Sequence, residues 1–407
     1  MLTLLSVVHA AAPPSPEDVG AALAATVSKR TGATCTHDAE DASIRCDNGS
    51  FTSLSSFLTE YRAASKKGRQ SMLTTWADNM VDPAGGFTGD LPTQLRPMLK
   101  PRADMLMMAR QARAMGAAAG EYFVTRPLTD TLVLVLGVDA PTAMRFAAPD
   151  DLKANALDTD AAFARATSNL AAVPFAFEPL EDGVFMVSTG DGYDSSRFLV
   201  DAPLDGLHLD GDPLVLVAAR DLAFVTGDAD PARIARILDL AMRTTQDEAL
   251  VKRVSLVPIV RRDGTWRDLT LPADHPSSGA LDALRKLQWG QWTFDQRQSL
   301  EASGGSLPVT KLAGVMGADE IPYHLVVLEP REQLAPVGDF VGLVVDDAPR
   351  LVAWADFLRI LGDQAKLEPD TFPPLYRVDG EAVLADPSRF EPIWKTLEEA
   401  LGAPPKR

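Results

Sequence analysis

Two apolar runs, Leu214-Val-Leu-Val217 and Leu222-Ala-Phe-Val225, stand four residues apart and lead straight into a helix-shaped pattern. Four residues, Ala218-Ala-Arg-Asp221, suffice to turn a strand back antiparallel on its neighbour. They are far too few for a parallel crossover, which takes a dozen or more. The helix that follows has Asp230 to cap it and Pro231 at its first position, where an amide donor is not needed. Ile234, Ile237, Leu238 and Ala241 then recur at the spacing of one buried helix face.

The same order returns along the chain. Asp263-Gly264 is a strong hairpin signal, because a type I′ turn needs positive φ at both central residues. Val254-Ser-Leu-Val257 and Trp266 to Leu271 read as its strands. Strands over 323–328 and 340–345 precede a helix from Pro349, with Leu351, Trp354, Leu358 and Leu361 inward and Gly362 as its stop. Recurring strand-strand-helix units, with antiparallel hairpins and packed helices, predict an α+β fold. Nearer the N-terminus, Ser53 is placed to cap a helix whose stripe is Leu54, Phe57, Leu58 and Tyr61. The longest apolar run past the N-terminus, Leu132 to Val138, is too short to span a bilayer. The expected organisation is a leader over 1–12, a hairpin and helical region over 13–127, a central α+β domain over 128–271 and a C-terminal α+β region over 272–407.

Met1 to Val8 followed by His9-Ala-Ala-Ala12 has the apolar core and small-residue cleavage site of an export signal, with Val8 and Ala10 at the cleavage positions. The alternative is an apolar N-terminus on a cytoplasmic protein. The only two cysteines, Cys35 and Cys46, are equidistant from Glu40-Asp41. A hairpin centred there sets them directly opposite each other, within reach of a disulfide. That pairing suits an oxidising compartment and a periplasmic or secreted protein, the other reading being two free thiols. A metal site is not expected, since His37 is the one further ligand nearby.

Charge narrows the partners. The chain carries 39 basic and 56 acidic residues, a net −17. Residues 1–130 hold 13 of each, so the whole excess falls on 131–407. An acidic chain with 7% aromatic residues lacks the footprint of a nucleic-acid binder. The locally basic stretch 61–113 reads as a solvated helix surface.

Between about 130 and 271 the chain resembles a bacterial family of uncharacterised proteins typified by YtpQ. The resemblance is carried by Ala143-Met-Arg-Phe146 leading into Asp150-Asp-Leu152, by the helix around Ala161 to Leu170, and by Asp191-Gly-Tyr-Asp-Ser-Ser-Arg-Phe-Leu199. The Leu214–Val225 strand pair with its helix and the Val254–Trp266 hairpin complete it. It covers about a third of the chain and implies nothing specific about activity.

Candidate sites follow from the chemistry of short stretches. Gly190-Asp-Gly-Tyr-Asp-Ser-Ser-Arg197 gathers carboxylates, a phenol, hydroxyls and a guanidinium after a strand. Asp191, Tyr193, Asp194, Ser196 and Arg197 are therefore the candidate ligand-binding residues. The competing reading makes Asp194 or Ser195 a helix cap, with Arg197 reaching back to Asp191. The pairs Asp210/Asp212 and Asp346-Asp347 fit turn chemistry. Asp274-His275-Pro-Ser-Ser278 offers an imidazole beside hydroxyls, but it reads best as a helix-entry loop. Trp289-Gly-Gln-Trp292 and Tyr376 could line a carbohydrate or peptide groove or pack in the core. No phosphate-loop, dinucleotide, nucleophile-elbow or zinc-binding motif is present, so no cofactor is expected. The sequence thus points to a non-catalytic binding or accessory module whose partner is a protein or a small polar ligand. The alternative is a metal-independent hydrolase using the Asp191–Arg197 loop or His275.

Overall fold

In the computed structural model of the chain, residues 15–39, 43–47, 51–54, 57–58, 61, 64–81, 90–114, 122–139, 144–189, 191–246, 253–305, 307–318, 322–345 and 348–402 are described. The expected leader, the turn centre Glu40-Asp41, Gly190 and Asp346-Asp347 lie outside them. The chain divides into two compact units, one of residues 1–95 with 137–145, the other of 96–136 with 146–407.

In the first unit, helix α1 (Pro16–Thr31) begins at a capping box. Ser15 Oγ accepts from the Asp18 amide at 3.1 Å, and the Asp18 carboxylate accepts from the Ser15 amide. Strands β1 (Cys35–Asp38), β2 (Ser43–Cys46) and β3 (Phe51–Ser53) form an antiparallel sheet in which Cys35 is paired directly with Cys46. The two are disulfide-bonded, as their symmetric placement predicts. Val19, Leu23 and Val27 of α1 pack with Ile44 and with the expected stripe Leu54, Phe57, Leu58 and Tyr61, all buried. Helix α2 (Lys66–Val81) adds Leu73 and Trp76 to that core.

The second unit opens with strand β4 (Leu95–Pro101) from Arg96 onward, helix α3 (Arg102–Ala114) and strand β5 (Leu132–Asp139), whose residues to Leu136 belong here. Helix α4 (Thr159–Ala171) is capped by Asp158. A six-stranded antiparallel sheet follows, built from β6 (Glu178–Pro179), β7 (Phe185–Val187), β8 (Pro213–Ala219), β9 (Leu222–Gly227), β10 (Ile259–Arg262) and β11 (Thr265–Asp268). Its order is β11-β10-β8-β9-β7-β6. Asp263 and Gly264 join β10 to β11 with φ of 50° and 75°, the double positive φ that their sequence predicts. The first strand of that hairpin is Ile259–Arg262 rather than 254–257, because Val254 and Ser255 bond instead to the carbonyls of Ala218 and Val217. Helix α5 (Pro231–Gln246) lays Ile234, Ile237, Leu238 and Ala241 on the sheet.

Helix α6 (Ser278–Ala302) is about 37 Å long and links this sheet to the next layer. Leu281 and Leu284 at its start belong to the core under the six-stranded sheet. Leu300 at its end packs with Leu334 and Leu375. Beyond it, β12 (Leu312–Met316), β13 (Pro322–Val327), β15 (Phe340–Val345) and β16 (Ala348–Ala353) form one sheet. Strands β14 (Glu332–Pro336), β18 (Leu375–Asp379) and β17 (Lys366–Leu367) form another. β13 and β15 run parallel, because β14 leaves to pair with β18. Helix α7 (Trp354–Leu361) starts later than the sequence suggests. Pro349 sits in β16, the outermost strand of its sheet, where a missing amide donor costs little. Taken together, the largely antiparallel sheets and packed helices are an α+β fold.

Candidate functional site

The middle of α6 forms one wall of a cavity of about 960 Å³ within the second unit. Asp282, Arg285, Lys286 and Trp289 reach it because their i, i+3, i+4, i+7 spacing places them on one helix face. The facing walls are β11, the turn 127–131, His324 on β13, the β14–β15 loop at Val337–Asp339, and Phe372 with Pro374. The volume lies in the range of roughly 300–1,000 Å³ that small-molecule sites occupy.

Lys286 Nζ lies 2.9 Å from Asp282, one helical turn back, and 3.3 Å from Asp339, and it sits 4.1 Å above the Tyr323 ring. Burial alone would draw the ammonium down, but its hydrogen bond to Asp282 and the two carboxylates outweigh that and hold it above the usual lysine value. Asp339 also accepts from the His324 amide at 2.7 Å, while its own amide donates to the His324 carbonyl at 2.8 Å. The His324 imidazole is held below its ordinary value, chiefly by burial, with Asp339 pulling the other way and Lys286 adding to the depression. It is therefore neutral at pH 7, and among the described residues it forms no side-chain hydrogen bond. The ring comes so near α6 that a Cβ on Gly290 would lie 3.0 Å from Nε2. That close approach gives a glycine inside a helix its use.

On the other side, the Thr129 and Thr131 hydroxyls both donate to Oδ1 of Asp268 at 2.7 Å, which pins the 127–131 turn to β11. Arg285 donates from Nη2 to the Leu269 carbonyl. Neither Arg285 nor Arg267 forms an ion pair among the described residues. Arg262 is engaged outside the cavity, with Asp212 at 2.9 Å and Asp228 at 2.6 Å. Trp289 is half-buried, with its ring centroid 5.9 Å from that of Phe372. Gln296 fixes the Phe372 segment by accepting from its amide at 2.8 Å and donating to the Pro373 carbonyl at 2.9 Å.

The next face of α6 supplies Gln288, Gln291, Trp292 and Asp295 to a smaller cavity of about 420 Å³, together with Asp104 of α3. Burial pushes the Asp104 carboxyl up to about 6, against the pull of Lys100 and with the Asp295 carboxylate adding to the rise. Asp295 is raised as well, by burial, with the hydrogen bond from Gln291 opposing it.

The stretch 191–197 is placed differently from a ligand loop. None of Asp191, Tyr193, Asp194, Ser196 and Arg197 lines the large cavity. Asp194, Ser196 and Arg197 have no exposed surface. Arg197 donates from Nη1 to the carbonyls of Leu170 at 3.1 Å and Val173 at 3.2 Å, donates from Nη2 to Asp191, and stacks 4.7 Å over Phe175. The short 3₁₀ turn Asp194–Leu199 has no side-chain cap from Asp194. Asp191 accepts from the Tyr193 amide at 2.9 Å instead, and Asp194 accepts from the Thr189 hydroxyl at 2.7 Å. His275 Nδ1 accepts from the Ser277 amide at 3.1 Å in the entry to α6. Among the described residues no group of three or more His, Cys, Asp or Glu side chains is arranged to hold a metal ion.

Of the candidate site residues named from the sequence, Trp289 lines this cavity, and so does Trp266 of the Asp263-Gly264 hairpin. The 127–131 turn, Asp268, Lys286, His324 and Asp339 carry no local motif. The polar stripe Asp282, Arg285, Lys286 is visible in sequence but reads as an ordinary solvated helix face.

Comparisons with protein-family models, curated proteins and solved structures find no match to this chain.

Proposed function

We propose that this chain is a non-catalytic binding or accessory module that seats a small polar ligand in the cavity beside Trp289. One observation carries the reading. The cavity of about 960 Å³ combines aromatic walls with convergent charged groups, several of them held in place by partners of their own. Side chains fixed before a ligand arrives lower the ordering cost of binding it. The rival hydrolase reading draws less support, since Arg197 is committed to Leu170, Val173 and Asp191 and His275 to Ser277. The Cys35–Cys46 disulfide favours an oxidising compartment, so the module is assigned to the periplasm or the exterior. Over 130–271 the chain is kin to the YtpQ-like family, a kinship that adds no activity.

A thermal-shift screen of small polar compounds against the native protein and Trp289→Ala tests the reading. Stabilisation of the native protein that is lost in the variant is expected. Compounds that stabilise both equally, or none that stabilises either, would refute it.

A further inference from the structure

We propose that the ligand of the Trp289 cavity is a neutral carbohydrate, bound with a sugar ring against the indole and its hydroxyls shared between carboxylates and guanidinium groups. This rests on the cavity being the binding site and adds the class of ligand.

The charge balance gives a guest of strong net charge little advantage in this cavity. Arg262, Arg267, Arg285 and Lys286 face Asp130, Asp268, Asp282 and Asp339, four cations against four anions. The cations that could hold an anion are in part engaged already. Lys286 sits between two carboxylates, and Arg262 is paired to Asp212 and Asp228. Arg267 and Arg285, which form no ion pair among the described residues, oppose a cationic guest, and Asp130 and Asp268, likewise without an ion pair among them, oppose an anionic one.

A hydroxyl suits such a wall because it both donates and accepts. Asp130 is exposed at the cavity, and Asp268 uses only Oδ1 for the two threonines. Arg267 supplies donors, and the neutral His324 imidazole supplies one donor and one acceptor. Trp289 provides an apolar face of the kind that stacks on the C–H side of a sugar ring.

A peptide adding to the sheet fits less well. β11 is an edge strand of only four residues, its Asp268 end is met by the 127–131 turn through Thr129 and Thr131, and the Leu269 carbonyl just beyond it is taken by Arg285, which leaves little main chain to pair with.

The test is calorimetric titration of the full chain with maltotriose, cellotriose and triacetylchitotriose, beside sialyllactose as an anionic sugar, chitosan trimer as a cationic one, and trialanine. At least one neutral trisaccharide should bind, and about 0.5 M salt should change its affinity less than twofold, because there is no ligand charge to screen. Trp289→Ala should weaken binding at least about tenfold. Asp130→Ala, at an exposed position that does not threaten the fold, should weaken it several-fold. Binding confined to the charged sugars or the peptide, with Trp289→Ala still abolishing it, would overturn the carbohydrate class and leave the cavity as the site. No binding by any of the six, together with a thermal-shift screen that finds no cavity ligand, would overturn both.

Discussion

The Arg197 guanidinium closes the C-terminal end of α4 by donating from Nη1 to the Leu170 carbonyl at 3.1 Å. A cation at that end is favoured by the helix dipole, and the Leu170 carbonyl, which also accepts from the Val173 amide, takes a further charged donor. The same fully buried side chain also reaches Val173, Asp191 and the Phe175 ring, so one residue ties a helix end to a loop. Arg197→Ala removes three hydrogen bonds from a fully buried side chain, two to carbonyls and one to the partly exposed Asp191, and should cost about 2–3 kcal/mol. Arg197→Lys should recover part of this, because an ammonium keeps the charge but lacks the planar fork that serves several acceptors. Denaturant unfolding of both variants checks the order.

The disulfide gives a second outcome. Cys35 and Cys46 are 11 residues apart, and removing the cross-link with a Cys35→Ser/Cys46→Ser double variant should destabilise the first unit by about 2–3 kcal/mol. Melting with and without a reductant should reproduce the shift in the native protein and show none in the variant.

Asp104 makes stability depend on pH. Its folded value is raised to about 6 from 3.8, so the folded state holds the proton more tightly than the unfolded chain. The associated stability is fully present below about pH 4 and is lost as pH rises through about 6. Asp104→Asn should flatten this part of the profile and stabilise the protein at pH 8 by on the order of 2 kcal/mol. Thermal melts between pH 4 and 8 read both effects.

Lys286 works with the opposite charge. Its folded value is raised, so its contribution is present below the ordinary lysine range and is lost as pH rises through the folded value. At pH 7, Lys286→Met should destabilise, since Asp282 and Asp339 are left facing each other without their shared cation. Adding Asp282→Asn should restore part of the loss, and a double-mutant cycle measures how much.

What could be read in advance was whatever depends on neighbours in sequence. The Asp263-Gly264 turn, the α5 stripe and the Cys35–Cys46 register are set by local backbone preference and by periodicity, and they are found where those rules place them. Pro349 misled because a proline suits the first turn of a helix and an edge strand alike, and only the sheet order separates the two. The cavity was hidden for a different reason. Thr129, Asp268, Lys286, His324 and Asp339 converge from positions spread over 210 residues of chain, between 129 and 339. On α6 itself, a polar stripe facing a cavity has the same period as one facing solvent. Arg197 illustrates the converse, since a cluster rich in functional groups served the packing of α4.

The central claim is that the ligand sits against Trp289, and the indole N–H resonances of the protein test it most directly. The chain has six tryptophans, among them Trp289 and Trp266 at the cavity and Trp76 in the core of the first unit. Titration with a neutral trisaccharide that binds calorimetrically should shift the Trp289 indole signal in a saturable way and leave that of Trp76 in place. A saturable shift at Trp76, or at any tryptophan outside the cavity, with Trp289 unmoved would contradict it.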